Sequence, residues 1–213
     1  LKTVKKLGIL MGAFCLLVIA GLWIWRFQIT EKERVQTTDL IYSAGEAVPF
    51  GENFFWSNSE NPNGYTITVD SAQTRNVREF LEENGSSWEE VYPETEEALP
   101  LSEMVYLITA TVKNESNKDG KVQFGNFMMT SGSILLQLDG TLNNFSAPEL
   151  ANAGSFVLPE GKSRTFTFAF TPDSATVAAG AKALYQRMES GDFYLCISQV
   201  PERRLILVST STK

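Results

Sequence analysis

Hydrophobic and polar positions divide this 213-residue chain into two regimes. Leu7 to Trp25, LGILMGAFCLLVIAGLWIW, is nineteen residues with no charge, Pro, Asn or Gln. At a rise of about 1.5 Å per residue this run is roughly 28 Å long as a helix, close to a bilayer's hydrocarbon thickness. From Val48 onward the pattern changes to short segments of period two. Tyr65 to Ser71 puts Tyr65, Ile67 and Val69 on one face, and Ser163 to Thr171 does the same with Phe166, Phe168 and Phe170. Met104 to Asn114 is apolar on both faces, which suits a central strand.

Five more segments read as strands: Val48–Trp56, bulged near Gly51; Lys121–Thr130, returning from a turn at Asp119-Gly120; Ile134–Leu138; Phe193–Ser198; and Arg204–Val208. Asp139-Gly140 carries a second hairpin signal, and Leu142–Val157 reads as loop. Helical spacing occurs twice. Val77, Phe80 and Leu81 follow Asn76, an N-cap with Glu79 in capping-box position, and Asn84-Gly85 closes that helix. The second helix runs from about Ala175 to Ser190, with Val177, Ala181, Leu184, Tyr185 and Met188 on its apolar side and Gly191 as its stop.

Eight short strands and two helices predict a mainly β fold. The expected architecture is an immunoglobulin-like β-sandwich with two helical insertions, preceded by one N-terminal transmembrane helix. The Cys…Trp…Cys core of true immunoglobulin domains is absent, so only the architecture is implied. The expected organisation is a short cytoplasmic tail (1–6), a transmembrane signal-anchor (7–26) and a juxtamembrane stalk and lead-in (27–45). An extracytoplasmic sandwich (46–208) and a C-terminal tail (209–213) follow. Asp39 to Pro49 is read as irregular.

The apolar run is too long for the core of a cleaved signal peptide, and Gly-Leu-Trp-Ile-Trp after Ala20 is a poor cleavage site. Cys15 lies mid-run behind Phe14, away from a lipidation position. A soluble core helix seldom goes nineteen residues without a polar face. Lys2, Lys5 and Lys6 before the run balance Arg26, Lys32 and Arg34 after it, so charge leaves orientation tied. The short leading tail and long following domain favour a cytoplasmic N-terminus. Gly8 and Gly12 form a G-x-x-x-G pair that would serve as a helix-pairing face.

Composition narrows the chemistry. Of 25 acidic and 18 basic residues, only four, all basic, precede position 27; the rest of the chain carries a net charge of −11. Nucleic acid is excluded as a partner, because phosphate neutralisation needs a basic surface. The chain contains no His, which removes Ser-His-Asp and Cys-His catalysis and His-based zinc sites. No phosphate-binding loop or nucleophile motif occurs. No catalytic residue, metal site or cofactor is expected, and the chain is not read as an enzyme. Cys196, in an apolar run, reads as a small buried hydrophobe.

Between Glu79 and Glu103 there are nine Glu residues and no Lys or Arg. Trp88, Glu89, Glu90 and Tyr92 lie inside this stretch. They form a candidate partner-binding loop with two aromatic anchors among carboxylates, against the alternative of a solvated surface loop.

Several segments together resemble a family of uncharacterised, membrane-anchored exported proteins of Gram-positive bacteria. They are Gly64–Ala72 (GYTITVDSA) leading into Val77–Leu81, Tyr106–Asn117 (YLITATVKNESN), Leu158–Lys162 (LPEGK) before Thr165–Phe170, and Ile197–Ile206 (ISQVPERRLI). The resemblance covers most of Val48–Leu207. It implies location at the cell membrane and an immunoglobulin-like fold, and it carries no catalytic residue across. The expected function is a membrane-anchored, extracytoplasmic, non-catalytic binding module of the cell envelope. Its partner would be an envelope protein or a cell-wall polymer. The alternative is an accessory or sensory subunit that pairs with another membrane protein through its transmembrane helix.

Overall fold

The computed structural model describes residues 18–26, 37–56, 60–93, 101–151 and 153–210. The chain forms two units, Leu1–Gln36 and Thr37–Lys213. In the first, residues 18–26 form a helix (α1) on which Trp23 and Trp25 are largely exposed. Most of the Leu7–Trp25 run, including Gly8, Gly12 and Cys15, lies outside the described residues, as does the stalk from 27 to 36. Among the described residues no helix is long and apolar enough to cross a membrane.

The second unit is mainly β. Its strands are β1 (Thr38–Ser43), β2 (Val48–Pro49), β3 (Tyr65–Asn76), β4 (Met104–Asn114), β5 (Met128–Ser131), β6 (Ile134–Leu138), β7 (Ser163–Pro172), β8 (Asp192–Ser198) and β9 (Glu202–Ser209). Its helices are α2 (Val77–Glu83), α3 (Trp88–Val91), α4 (Gly140–Ser146) and α5 (Ser174–Ser190), the last interrupted by non-helical backbone at Gly180. All nine strands share one sheet in the order β1-β9-β8-β5-β6-β7-β4-β3-β2. Every neighbouring pair is antiparallel except β1 with β9.

The sheet curls until its two ends meet. After β1, Ala44 N–H donates to Leu207 of β9 at 3.1 Å, and Gly45 N–H donates to Val69 of β3 at 2.9 Å. Phe54 and Val200 exchange backbone hydrogen bonds at 2.8 and 3.0 Å and close a second point. Arg204 reaches across to the Pro49 carbonyl between them. The concave side is filled by one core, in which Tyr65, Ile67 and Val69 of β3 and Phe166, Phe168 and Phe170 of β7 are buried as their period-two spacing predicts. Residues of β8 and β9 face them across this core. A smaller cluster on the convex side joins Val77, Phe80 and Leu81 of α2 to Val105 and Leu107 of β4 and Leu142 of α4. That cluster explains why β4 is apolar on both faces.

Several expectations are corrected. The lead-in contains β1, a strand with mostly exposed side chains that shows no apolar periodicity. It is held by its parallel ladder with β9 and by Asp39, whose carboxylate accepts two hydrogen bonds from Arg203 at 2.8 and 2.5 Å. Val48–Trp56 is not one strand: β2 ends at Pro49, and Gly51, at φ +62°, turns the chain away. Lys121–Thr130 does not return along β4, whose neighbours are β3 and β7. It forms a single bridge at Val122, a 3₁₀ turn at Phe124–Asn126 and the short β5, which pairs with β6 and β8. Asp139-Gly140 is no hairpin. The Asp139 carboxylate accepts from Leu142 N–H at 2.9 Å and starts α4 where loop was expected. Asn76 caps α2 through Arg78 N–H, two residues on, so Glu79 completes no capping box.

The β1 attachment has a pH signature. The Arg203 hydrogen bonds hold the Asp39 carboxyl below its ordinary value and raise Arg203. A lowered carboxyl contributes stability above its ordinary value and loses it as pH falls through the lowered one. Amide protection of β1, corrected for intrinsic exchange, is therefore expected to fall on acidification before that of β4. Parallel loss in both strands would show that the pair does not hold β1.

Candidate functional site

The ends of the curled sheet meet at Val69 and separate beyond it. Val69 pairs with Ala110, but Ser71 already pairs with Thr109, so Asp70 is an extra residue in a bulge. A bulge leaves its extra residue unpaired and bends its strand, here away from the opposite end of the sheet, while the β3–β4 ladder continues to Asn76 and Met104. The β2 partners of β3 are Thr66 and Ile67 only, so from Ser71 to Arg75 β4 is its sole strand neighbour among the described residues. An open groove of about 960 Å³ lies along this edge. Its floor is Ser71 to Asn76; Glu79 and Met104 stand on one side, and Glu189 at the end of α5 and Thr210 after β9 on the other. Ser71 and Gln73 are exposed, whereas Ala72 turns into the core.

The charges around the groove are unequal. Arg75 is paired with Glu83, and that cation is neutralised. Among the described residues neither Glu79 nor Glu189 has an ion-pair partner. Thr210 donates to the Glu189 carbonyl at 2.6 Å, which fixes that wall. Tyr106 of β4 sits opposite Thr74 in register and is fully buried against Phe193, with ring centroids 5.2 Å apart. Its hydroxyl has no hydrogen-bond partner among the described residues, and burial, with the nearby Asp192 charge, raises its pKa. An unpaired buried hydroxyl costs about 1–3 kcal/mol. Tyr106→Phe is therefore expected to raise stability by about 1 kcal/mol, read as a higher denaturant midpoint at unchanged slope. A lower midpoint would mean that the hydroxyl is satisfied in solution.

Trp88, Glu89 and Glu90 lie on α3, a single helical turn where the sequence predicts loop, and Tyr92 follows directly as its C-cap. Its start is a closed capping box: Glu90 N–H donates to Ser87 Oγ at 3.2 Å and Ser87 N–H to the Glu90 carboxylate at 3.1 Å. The Trp88 and Tyr92 rings are half-buried, 4.8 Å apart, and pack on the convex cluster. The Arg78 guanidinium lies 4.6 Å from the Trp88 ring centroid and donates to Glu89 at 2.8 Å, which lowers the Glu89 pKa. Both carboxylates of this quartet are thus engaged within the fold, and both rings are packed against it. Glu94, Glu96 and Glu97 lie outside the described residues, as do Gly8 and Gly12.

Cys196 is buried, and burial pushes its thiol up to about 11, which keeps it neutral. Among the described residues no group of three or more metal-ligating side chains comes together. Apolar alternation alone does not reveal the groove, because it breaks at Ser71 while β3 runs on to Asn76. The break itself was the signal: apolar positions step from 65, 67 and 69 to 72, the one-residue phase shift of a bulge.

Residues 40–204 match the family described as a domain of unknown function, DUF5028. The match covers well over half of the chain, and the chain belongs to this family. No curated protein and no solved structure matches it.

Proposed function

We propose that this DUF5028 chain is a non-catalytic binding module of the cell envelope, tethered by the run Leu7–Trp25 with its β domain on the extracytoplasmic side, and that it takes its partner in the groove along β3. The observation that carries this reading is the exposed strand edge from Ser71 to Arg75, which lies beyond the reach of β2 and follows the bulge at Asp70. Open edges are hazards that folds ordinarily cover, so one that is walled rather than capped suits a partner. The aromatic quartet of α3 is assigned to the support of β4, because its rings and charges are satisfied internally. The tether rests on the apolar run and its flanking charges. Origin in a Gram-positive bacterium rests on the resemblance of strand and turn segments. The immunoglobulin-like sandwich reading rests on two halves of the sheet facing each other across the aromatic core. The unbroken pairing through β6 and the parallel β1–β9 pair depart from that type.

The test is site-specific photocrosslinking from the full chain in its native membranes. A crosslinker at Gln73 is expected to give a discrete adduct, and one at Lys113, exposed at the far end of β4, is expected to give none. Equal labelling at both positions, or none at Gln73, would sink the reading.

A further inference from the structure

We infer that the occupant of the groove is an extended, basic peptide segment, which adds to β3 as a strand and places its cationic side chains at Glu79 and Glu189. This rests on the groove being the binding site. Three observations lead to it. First, the floor is a strand edge. Unpaired backbone N–H and C=O groups in alternation are satisfied by another extended backbone, and five residues is an ordinary strand length. Second, the edge carries small and polar side chains, Ser71, Ala72, Gln73 and Thr74, so a second backbone can approach without a bulky residue in the way. Third, the walls carry uncompensated negative charge. Among the described residues Glu79 and Glu189 have no ion-pair partner, and the one cation lining the groove, Arg75, is taken by Glu83. The chain beyond position 26 carries a net charge of −11, so the long-range field also favours a cation.

A second copy of the chain is the competing occupant. Pairing two β3 edges would bring both copies' Glu79 and Glu189 into one groove. Like charges at close range penalise that arrangement. An anionic wall polymer is opposed by the same carboxylates.

The experiment uses the full chain in nanodiscs and three fluorescein-labelled octapeptides, read by anisotropy at low salt. One peptide alternates Lys and Val, the second replaces each Lys by Glu, and the third is the Lys-Val peptide with alternate backbone nitrogens methylated. The Lys-Val peptide is expected to bind, and the other two at least about tenfold more weakly, through lost charge complementarity and lost strand hydrogen bonds respectively. The variant Glu79→Lys/Glu189→Lys, changed only at exposed positions, is expected to weaken the Lys-Val peptide by about tenfold or more and to keep the parent's thermal midpoint. Equal binding of the methylated peptide would overturn strand addition. Equal binding of the Glu peptide would overturn charge selection, and a peptide-resistant dimer would install the second copy as occupant. If Gln73 crosslinks to an envelope component while none of the peptides binds, this inference fails and the binding-module reading stands. If Gln73 crosslinks to nothing, both fail.

Discussion

Replacing Phe168 by alanine is expected to lower the stability of the β domain by about 3–5 kcal/mol, the largest effect of any single truncation considered. Phe168 is fully buried at the centre of β7. Its ring lies 5.8 Å from that of Phe124, 5.7 Å from Phe127 and 5.9 Å from Phe166. These neighbours belong to different parts of the chain, the 3₁₀ turn and the strand itself, and they cannot all collapse into the space left behind. The cost is therefore transfer plus cavity. Phe168→Leu, which keeps most of the volume, is expected to cost clearly less. Chemical denaturation of both variants checks this, and equal losses would show that the site relaxes freely.

Asn117→Ala is expected to cost about 3 kcal/mol through a different mechanism, stranded backbone groups. The Asn117 carboxamide donates to the carbonyls of Asn61, at 2.9 Å, and Asn63, and its oxygen accepts from the N–H groups of Asp119 and Gly120. Asn114 completes the knot: its oxygen accepts from Asn117 N–H at 2.7 Å, and its nitrogen donates to Leu158 at 2.7 Å. Tyr65 accepts from Leu158 N–H at 3.0 Å. Three separated turns are tied together by two buried carboxamides and a phenol. Asn117→Asp separates hydrogen bonding from shape. The carboxylate keeps both acceptor contacts but sets an oxygen against two carbonyls, so it too is expected to destabilise. A neutral Asn117→Asp would mean that packing, not donation, holds the turns.

The same chemistry explains which parts of the fold were legible in sequence. β4 ends where its pattern predicts, at Met104 and Asn114, because both of its faces are buried and no register slip is tolerated. The apolar side of α5 follows its spacing, with Val177, Leu184 and Met188 buried. β1 was invisible because an exposed edge needs no alternation, and its hold, Asp39 on Arg203, spans most of the chain. Asp-Gly at 139–140 carried a hairpin signal that tertiary packing overrides. Asn143 donates to the Ala169 carbonyl at 2.9 Å and accepts from its N–H at 3.2 Å, which docks α4 on β7. For α3 the signal was present in Ser87-Trp-Glu-Glu90, a capping-box spacing hidden in a run of acids. The groove depends on β2 beginning only at Val48, opposite Ile67, and on how far the sheet curls, and only the bulge leaves a mark in the apolar phase.

Amide hydrogen exchange of the full chain without partner tests the central claim most directly. Alternate amides between Ser71 and Arg75, those facing away from β4, are expected to exchange orders of magnitude faster than the amides of Met104–Asn114. Adding a partner is expected to slow them selectively. If the whole of 71–75 is as protected as β4 in the free chain, the edge is already covered and the groove is not the binding site.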